Sequence, residues 1–90
     1  MGEIRYYARE GISGEITYVA ELRVNYRTEI RDNLKSLDDL SGAVSFLAMD
    51  CPDRFLINGP QREESGLRPL NKDEMDKLTP ILRKGLRAYS

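Results

Sequence analysis

Two kinds of side chain in this sequence could carry out chemistry, a single thiol and a group of carboxylates. The thiol is Cys51, which Asp50 and Asp53 flank where a helix is predicted to end. Reactive cysteines need neighbouring cations or a helix N-terminus, so these surroundings predict a structural cysteine. Since one cysteine cannot form a disulfide within the chain, we expect a reducing, cytoplasmic compartment.

The carboxylates in the middle of the chain could form an oxygen-ligand site for calcium or magnesium. The best donors are Asp50, Asp53, Glu63 and Glu64. Their spacing is not that of an EF-hand loop, and the charges of an exposed loop explain Glu63 and Glu64 without any metal. We therefore predict no metal site and no cofactor.

The sequence lacks other groups that catalysis commonly uses. It contains no histidine, which is the commonest general base and the commonest metal ligand. It also has no glycine-rich phosphate loop followed by Lys and Ser or Thr. These features predict a protein that is not an enzyme, and catalysis through carboxylates or Cys51 is the least favoured alternative.

The N-terminal part of the chain alternates between apolar and polar residues with a period of two, as half-buried strands do. The even-numbered positions from Ile4 to Ala8 and from Ile16 to Tyr26 are apolar, and two glycines between them suit a short hairpin loop. After Arg27 a strand pattern and a helix pattern compete. Residues 28–36 are therefore strand, loop or helix.

A first helix and a third strand are predicted after this ambiguous segment. Ser36 and Asp39 resemble a capping box at the start of a helix over about 37–49, which ends before Pro52. Residues 54–58 then have the pattern of a short buried strand.

The last third of the chain predicts an irregular exposed loop at about 59–70 and a second helix. Asn71 and Glu74 form the cap of this helix, whose apolar residues keep helical spacing toward Tyr89. Pro80 lies inside the helical pattern, which predicts either a kink or a restart capped by Thr79.

Together the elements predict a single α+β domain over residues 1–90. A long N-terminal β-hairpin and a short third strand form a small antiparallel sheet, and two helices pack mainly on one face, in the order ββαβα. No window approaches the roughly 18 apolar residues of a membrane span, and the charged start resembles no targeting signal, so we expect no membrane association. An open sheet edge makes a homodimer one further expectation.

The odd-numbered positions of the two N-terminal strands provide the best candidate for a binding surface, because residues of one parity share a sheet face. Arginine outnumbers lysine ten to four, and Arg and Tyr are enriched at protein interfaces. The candidate partner-binding residues are Arg5, Tyr7, Arg9, Arg23, Asn25 and Arg27. The alternative is a solvent-exposed face on which arginines pair with glutamates across strands.

A second basic group lies in the last turns of the second helix. Arg83, Lys84 and Arg87 are followed by no acidic residue. They either contact phosphate or an acidic partner, or simply complement the negative end of the helix dipole.

These features predict a small non-enzymatic protein-binding module, acting as a regulator, adaptor or stoichiometric inhibitor of a larger protein or complex. A viral or mobile-element inhibitor of a host system is one example of that class. The alternative is a nucleic-acid-binding domain that uses the arginine-rich face, on which Tyr7 is the evident stacking residue. Tyr6, Tyr18 and Tyr26 have the parity of the core. A net charge of −1 gives no general attraction to nucleic acid.

Overall fold

A computed structural model describes residues 2–88, which form five strands and two helices and confirm the α+β class. Tyr89 lies outside the described residues. Neither helix in this part of the chain is long and apolar enough to cross a membrane. The strands are β1 (Gly2–Glu10), β2 (Ile16–Val24), β3 (Arg27–Leu34), β4 (Arg54–Asn58) and β5 (Leu67–Arg68), and the helices are α1 (Leu37–Met49) and α2 (Lys72–Ala88).

The strands form one mixed sheet in the order β3-β2-β1-β4, with β5 paired to β1 beyond the end of β4. β1 is antiparallel to β2, and β2 to β3, but β4 is parallel to β1. The prediction of an antiparallel sheet is wrong here, because the segment left open at 28–36 contains most of a third full strand. β3 reverses the chain once more, so the crossover through α1 returns β4 in the direction of β1.

Local signals set the helix starts where the sequence predicts them. The Ser36 hydroxyl accepts a hydrogen bond from the Asp39 amide at 3.1 Å. At the second helix, the Glu74 amide donates to Asn71 Oδ1 at 2.9 Å, and the Asn71 amide donates to Glu74 Oε1 at 3.0 Å. These bonds satisfy amides that have no partner inside the helix, which fixes where each helix begins.

The second helix continues through Pro80 without a restart. Thr79 does not cap a new helix, since its hydroxyl donates to the Met75 carbonyl at 2.8 Å. Leu78 and Leu82, on either side of the proline, are both buried in the core. Their packing holds the two halves of α2 in one helix, and the predicted restart at Thr79 is wrong.

The core lies between one face of the sheet and the two helices. Burial of this apolar surface is the main stabilising contribution to the fold. Its sheet side consists of even-numbered residues of β1 and β2, and its helical side of leucines and small residues. The fully or nearly fully buried members are Ile4, Tyr6, Ala8, Ala20, Leu22, Leu40, Val44, Leu47, Ala48, Cys51, Leu70, Leu78 and Leu82.

Two glycines let elements approach closely. A Cβ atom on Gly85 of α2 would lie 2.6 Å from Ser45 Oγ of α1, so the glycine lets the two helices meet there. Gly66 ends the loop between β4 and β5 with a φ of 91°, where a Cβ would also lie 2.8 Å from the Glu10 carbonyl oxygen. Its own carbonyl accepts from the Glu10 amide at 2.7 Å, which fastens the loop to β1. The predicted irregular loop at 59–70 thus contains a short paired strand.

Arg68 of β5 joins the loop, the sheet and α2. Its guanidinium donates to Glu10 and to Glu74, both at 2.6 Å, and the Tyr18 hydroxyl donates to Glu74 at 3.0 Å. Burial alone would raise the pKa of Glu74, but hydrogen bonds from Arg68, the Asn71 amide and Tyr18 outweigh it and lower that pKa. This cluster holds β5 in place at one end of the sheet.

Candidate functional site

Both helices pack on the same face of the sheet, which leaves the opposite face without a helical cover. We call this second surface the open face. Strand register assigns its members, since directly paired residues point to the same side. They are Glu3, Arg5, Tyr7, Arg9, Thr17, Val19, Glu21, Arg23, Thr28, Ile30, Phe55, Ile57 and Leu67.

Four of the six predicted binding residues lie on the open face, namely Arg5, Tyr7, Arg9 and Arg23. Asn25 lies in the turn between β2 and β3. Arg27 lies on the helix side, because the two-residue turn pairs it with Val24 and so reverses the parity of the following strand. Its guanidinium is 3.5 Å from Glu29 and 3.8 Å from Asp50 at the end of α1.

The centre of the open face is a buried polar pair. Tyr7 is only 2% exposed, and its hydroxyl donates a hydrogen bond to the Glu21 carboxylate. Burial, the hydrogen bond to Glu21 and the charge of Glu21 raise the pKa of Tyr7 to about 12, although Arg9 and Arg62 oppose the shift. Tyr7 is therefore a neutral donor that fixes Glu21, and its ring is not available for stacking against a ligand.

The raised pKa of Tyr7 predicts a loss of stability at high pH. The pKa of Tyr7 is about 12 in the folded protein, against an ordinary 10.0. Its stabilising contribution to the free energy of unfolding is therefore complete below pH 10 and disappears as the pH rises through about 12. We expect Tyr7→Phe to remove this part of the fall in the free energy of unfolding at high pH. The variant should also lose about 1 to 3 kcal/mol at neutral pH, because Glu21 loses its donor.

Urea unfolding at a series of pH values checks this prediction. Burial also raises the pKa values of Tyr6 and Tyr18, so the relevant quantity is the difference between wild type and variant. Identical pH dependence of the free energy of unfolding in the two proteins would contradict the assignment.

Exposed apolar side chains flank this centre. Phe55 on β4 is 55% exposed and Ile30 on β3 is 52% exposed. Phe55, Glu3 and Arg23 help to line a shallow depression of about 440 Å³ at one end of the face. Neither Phe55 nor Ile30 is among the predicted binding residues. Residues 54–58 form the predicted strand, but the prediction that it is buried is wrong, because it lies at the edge of the sheet.

The charges of the open face are only partly compensated. Arg5 forms an ion pair with Glu3 at 3.0 Å, and Glu21 accepts from Tyr7. Arg9 and Arg23 have no ion-pair partner among residues 2–88. Two free guanidinium groups therefore lie toward opposite ends of a surface whose carboxylates are already engaged.

The other tyrosines follow the predicted parity only in part. Tyr6 is buried in the core, and Tyr18 is half-buried beside Glu74. Tyr26 is exposed in the turn between β2 and β3, where its ring lies 5.7 Å from the Arg27 guanidinium. The prediction that Tyr26 faces the core is wrong, because the strand ends at Val24.

The groups considered for chemistry are not assembled into a site. Within residues 2–88 no three Asp, Glu, Cys or His side chains come together as a metal cluster, so Asp50, Asp53, Glu63 and Glu64 do not meet in one. Cys51 is a buried free thiol, and a Cβ atom on Gly2 would lie 1.9 Å from its sulfur. The absence of a side chain at Gly2 thus makes room for the Cys51 side chain.

Comparison with protein-family models, curated proteins and solved structures finds no match to this chain.

Proposed function

We propose that this protein is a non-enzymatic binding module that attaches to a partner protein through its open face. The observation that supports this is a helix-free sheet face on which exposed Phe55 and Ile30 lie beside unpaired arginines. Exposed apolar groups rimmed by polar ones are typical of protein interaction surfaces. By occupying a surface of a larger protein, such a module acts as a regulator, adaptor or stoichiometric inhibitor.

The chemistry of the face indicates what the partner presents. Ile30 and Phe55 are three strand spacings, or about 14 Å, apart in the direction across the sheet, and Arg9 lies about 20 Å along β1 from the position opposite Arg23. Aromatic and arginine side chains of this kind contribute most of the energy in protein interfaces. We infer that the partner surface is apolar where it meets Ile30 and Phe55 and acidic where it meets Arg9 and Arg23.

The nucleic-acid alternative has less support from the same geometry. Tyr7, the residue expected to stack on bases, is buried and hydrogen-bonded to Glu21. A protein partner remains the better proposal for the open face.

Affinity capture with two matched variants tests the proposal. The face variant combines Arg23→Glu with Ile30→Glu, and the control variant combines Lys72→Glu with Ile12→Glu, which makes the same changes of charge and polarity at exposed sites outside the open face. We expect one stoichiometric partner to be retained by wild type and by the control variant and lost by the face variant. Retention of that partner by all three proteins would contradict the proposal.

A further inference from the structure

The two outer strands of the sheet, β3 and β4, differ in how well their free edges are protected. β3 carries alternating charges at Arg27, Glu29 and Arg31. Its pairing with β2 also shifts in register beside Asn33, which has a φ of 54° in the left-handed region. Charges and bulges are devices that keep an edge strand from pairing with another chain.

β4 lacks such protection beyond its first residue. Arg54 is followed by Phe55, Leu56 and Ile57, and the pairing of β4 with β1 runs without a shift in register. No strand within residues 2–88 pairs with its outer edge. Phe55 on the open face is 55% exposed and Leu56 on the helix side is 37% exposed, so the middle of the strand is accessible from both sides of the sheet.

Alternate residues of β4 direct their backbone groups away from the sheet. The Gly2 amide donates to the Asp53 carbonyl at 3.4 Å, and the Gly59 amide donates to the Tyr6 carbonyl at 3.0 Å. Backbone groups alternate in direction along a strand, so the odd-numbered residues of this segment bond to β1 and the even-numbered ones face outward. The outward-facing residues are Arg54, Leu56 and Asn58.

The sequence of β4 is matched to an antiparallel copy of itself. A twofold axis at Leu56 places this residue opposite its own copy, and Arg54 opposite Asn58 of the second copy. Opposed residues with outward backbone groups exchange two hydrogen bonds in an antiparallel pair, so this register uses the outward groups of all three residues. On the open face the same axis places Phe55 opposite Ile57 of the second copy, and such aromatic and β-branched pairs stabilise a sheet.

α2 runs alongside β4 in the opposite direction. Its start is tied to the end of β4, because the Asn58 side chain and the Leu70 backbone exchange hydrogen bonds at 3.1 and 2.9 Å just before the helix. Its last turns reach the start of β4, where Arg83 and Leu86 are among the residues that line a depression beside Arg54. In an antiparallel dimer, the end of α2 in one copy and the start of α2 in the other therefore lie at the same end of the joined edge.

Charge favours this antiparallel arrangement. Residues 72–76 contain three carboxylates and one lysine, whereas residues 83–87 contain three cations and no carboxylate. The basic end of each helix thus lies with the acidic start of the other, and a parallel pairing would instead bring like charges together. The two copies of Arg54 are four residues apart along the paired strands, or about 14 Å, which exceeds the Debye length of about 8 Å at physiological salt.

We propose that the protein forms a homodimer by antiparallel pairing of β4 with β4 of a second copy, about a twofold axis at Leu56. The two sheets then become one, in the order β3-β2-β1-β4-β4-β1-β2-β3. Phe55 and Ile57 of both copies come together at the centre of the joined open face. The pairing leaves the open faces of both copies uncovered, and it does not rest on the proposed function.

Sedimentation velocity of the purified protein, from about 1 to 500 µM, tests the proposal. A single pair of short strands forms a small interface, so we expect a reversible dimer with a dissociation constant of about 1 to 100 µM. A protein that sediments as a monomer over the whole range would overturn the proposal.

Two matched substitutions identify the edge. Leu56→Lys brings two ammonium groups together at the twofold axis, and should weaken dimerisation at least about tenfold. Ile30→Lys makes the corresponding change on β3, the other outer strand, and should weaken it less than about threefold. Both side chains are exposed, and circular dichroism checks that both variants fold. A folded Leu56→Lys protein that dimerises like wild type would exclude the β4 edge, as would a dimer that only Ile30→Lys dissociates.

Disulfide trapping tests the register of the two strands. In the antiparallel pair the Cα atoms of the two residues at position 56 are about 5.5 Å apart, within the range that a disulfide spans. Oxidation should therefore link Leu56→Cys into a covalent dimer, whereas Arg54→Cys, about 14 Å from its copy, should stay unlinked. The native Cys51 is buried and is present in both variants. Equal linking of the two variants, or a Leu56→Cys dimer that does not link, would contradict this register.

Discussion

The face variant, Arg23→Glu with Ile30→Glu, is expected to bind the captured partner at least about 100-fold more weakly than wild type. Ile30 is 52% exposed and Arg23 is exposed on the adjacent strand, so neither contributes much to folding. In an interface, however, the two new carboxylates would be desolvated next to an acidic partner surface. Titration calorimetry with the purified partner measures the affinity.

Two controls separate binding from stability in this experiment. Thermal unfolding should show that the face variant is folded at the temperature of the binding measurement, with a melting temperature below that of wild type because the new carboxylates lie opposite Glu3 and Glu21. The control variant, Lys72→Glu with Ile12→Glu, should bind within threefold of wild type. A face variant that is fully folded and binds as tightly as wild type would show that the open face is not part of the interface.

Leu22→Ala is expected to lower the free energy of unfolding by about 2 to 5 kcal/mol. Leu22 is 0% exposed on a central strand and belongs to the core beneath the helices. The substitution leaves a cavity that surrounding residues of a closely packed core fill only in part. A domain of this size has only several kcal/mol of total stability, so much of it would be lost.

Urea unfolding followed by circular dichroism measures this change. Ile12→Ala is the matched control, because Ile12 is fully exposed in the turn before β2 and should shift the free energy by less than about 0.5 kcal/mol. A loss for Leu22→Ala no greater than that of the control would contradict the placement of β2 at the centre of the core.

Local features of the chain could be predicted from the sequence because their causes are local. The bounds of α1 and β4 follow from Ser36 as a cap and from the short strand pattern of residues 54–58, and the Asn71 cap also lies where its motif predicts. The ambiguous segment at 28–36 could not be assigned, since it becomes a strand by pairing with β2. The parallel direction of β4 depends on that pairing. Because the segment was not assigned to a strand, the sheet was predicted to be antiparallel and not mixed.

The candidate site was predictable to a similar extent. Alternation alone was enough to place Arg5, Arg9 and Arg23 on one face. It could not show that Arg27 crosses to the helix side, because the parity after a turn depends on the number of residues in the turn. Nor could it show that Tyr7 is buried, or that Phe55 joins the face, since both depend on which strands become neighbours.

The most direct test of the open face as a partner-binding surface is site-specific photo-crosslinking in cells that produce the protein. A benzoylphenylalanine in place of Ile30 lies on the open face, whereas one in place of Ile12 is at least as exposed but lies in the hairpin turn. We expect a discrete adduct with a single partner protein from position 30, lost when Arg23→Glu is added, and none from position 12. The same adducts from both positions, or none from position 30, would contradict a partner-binding role for the open face.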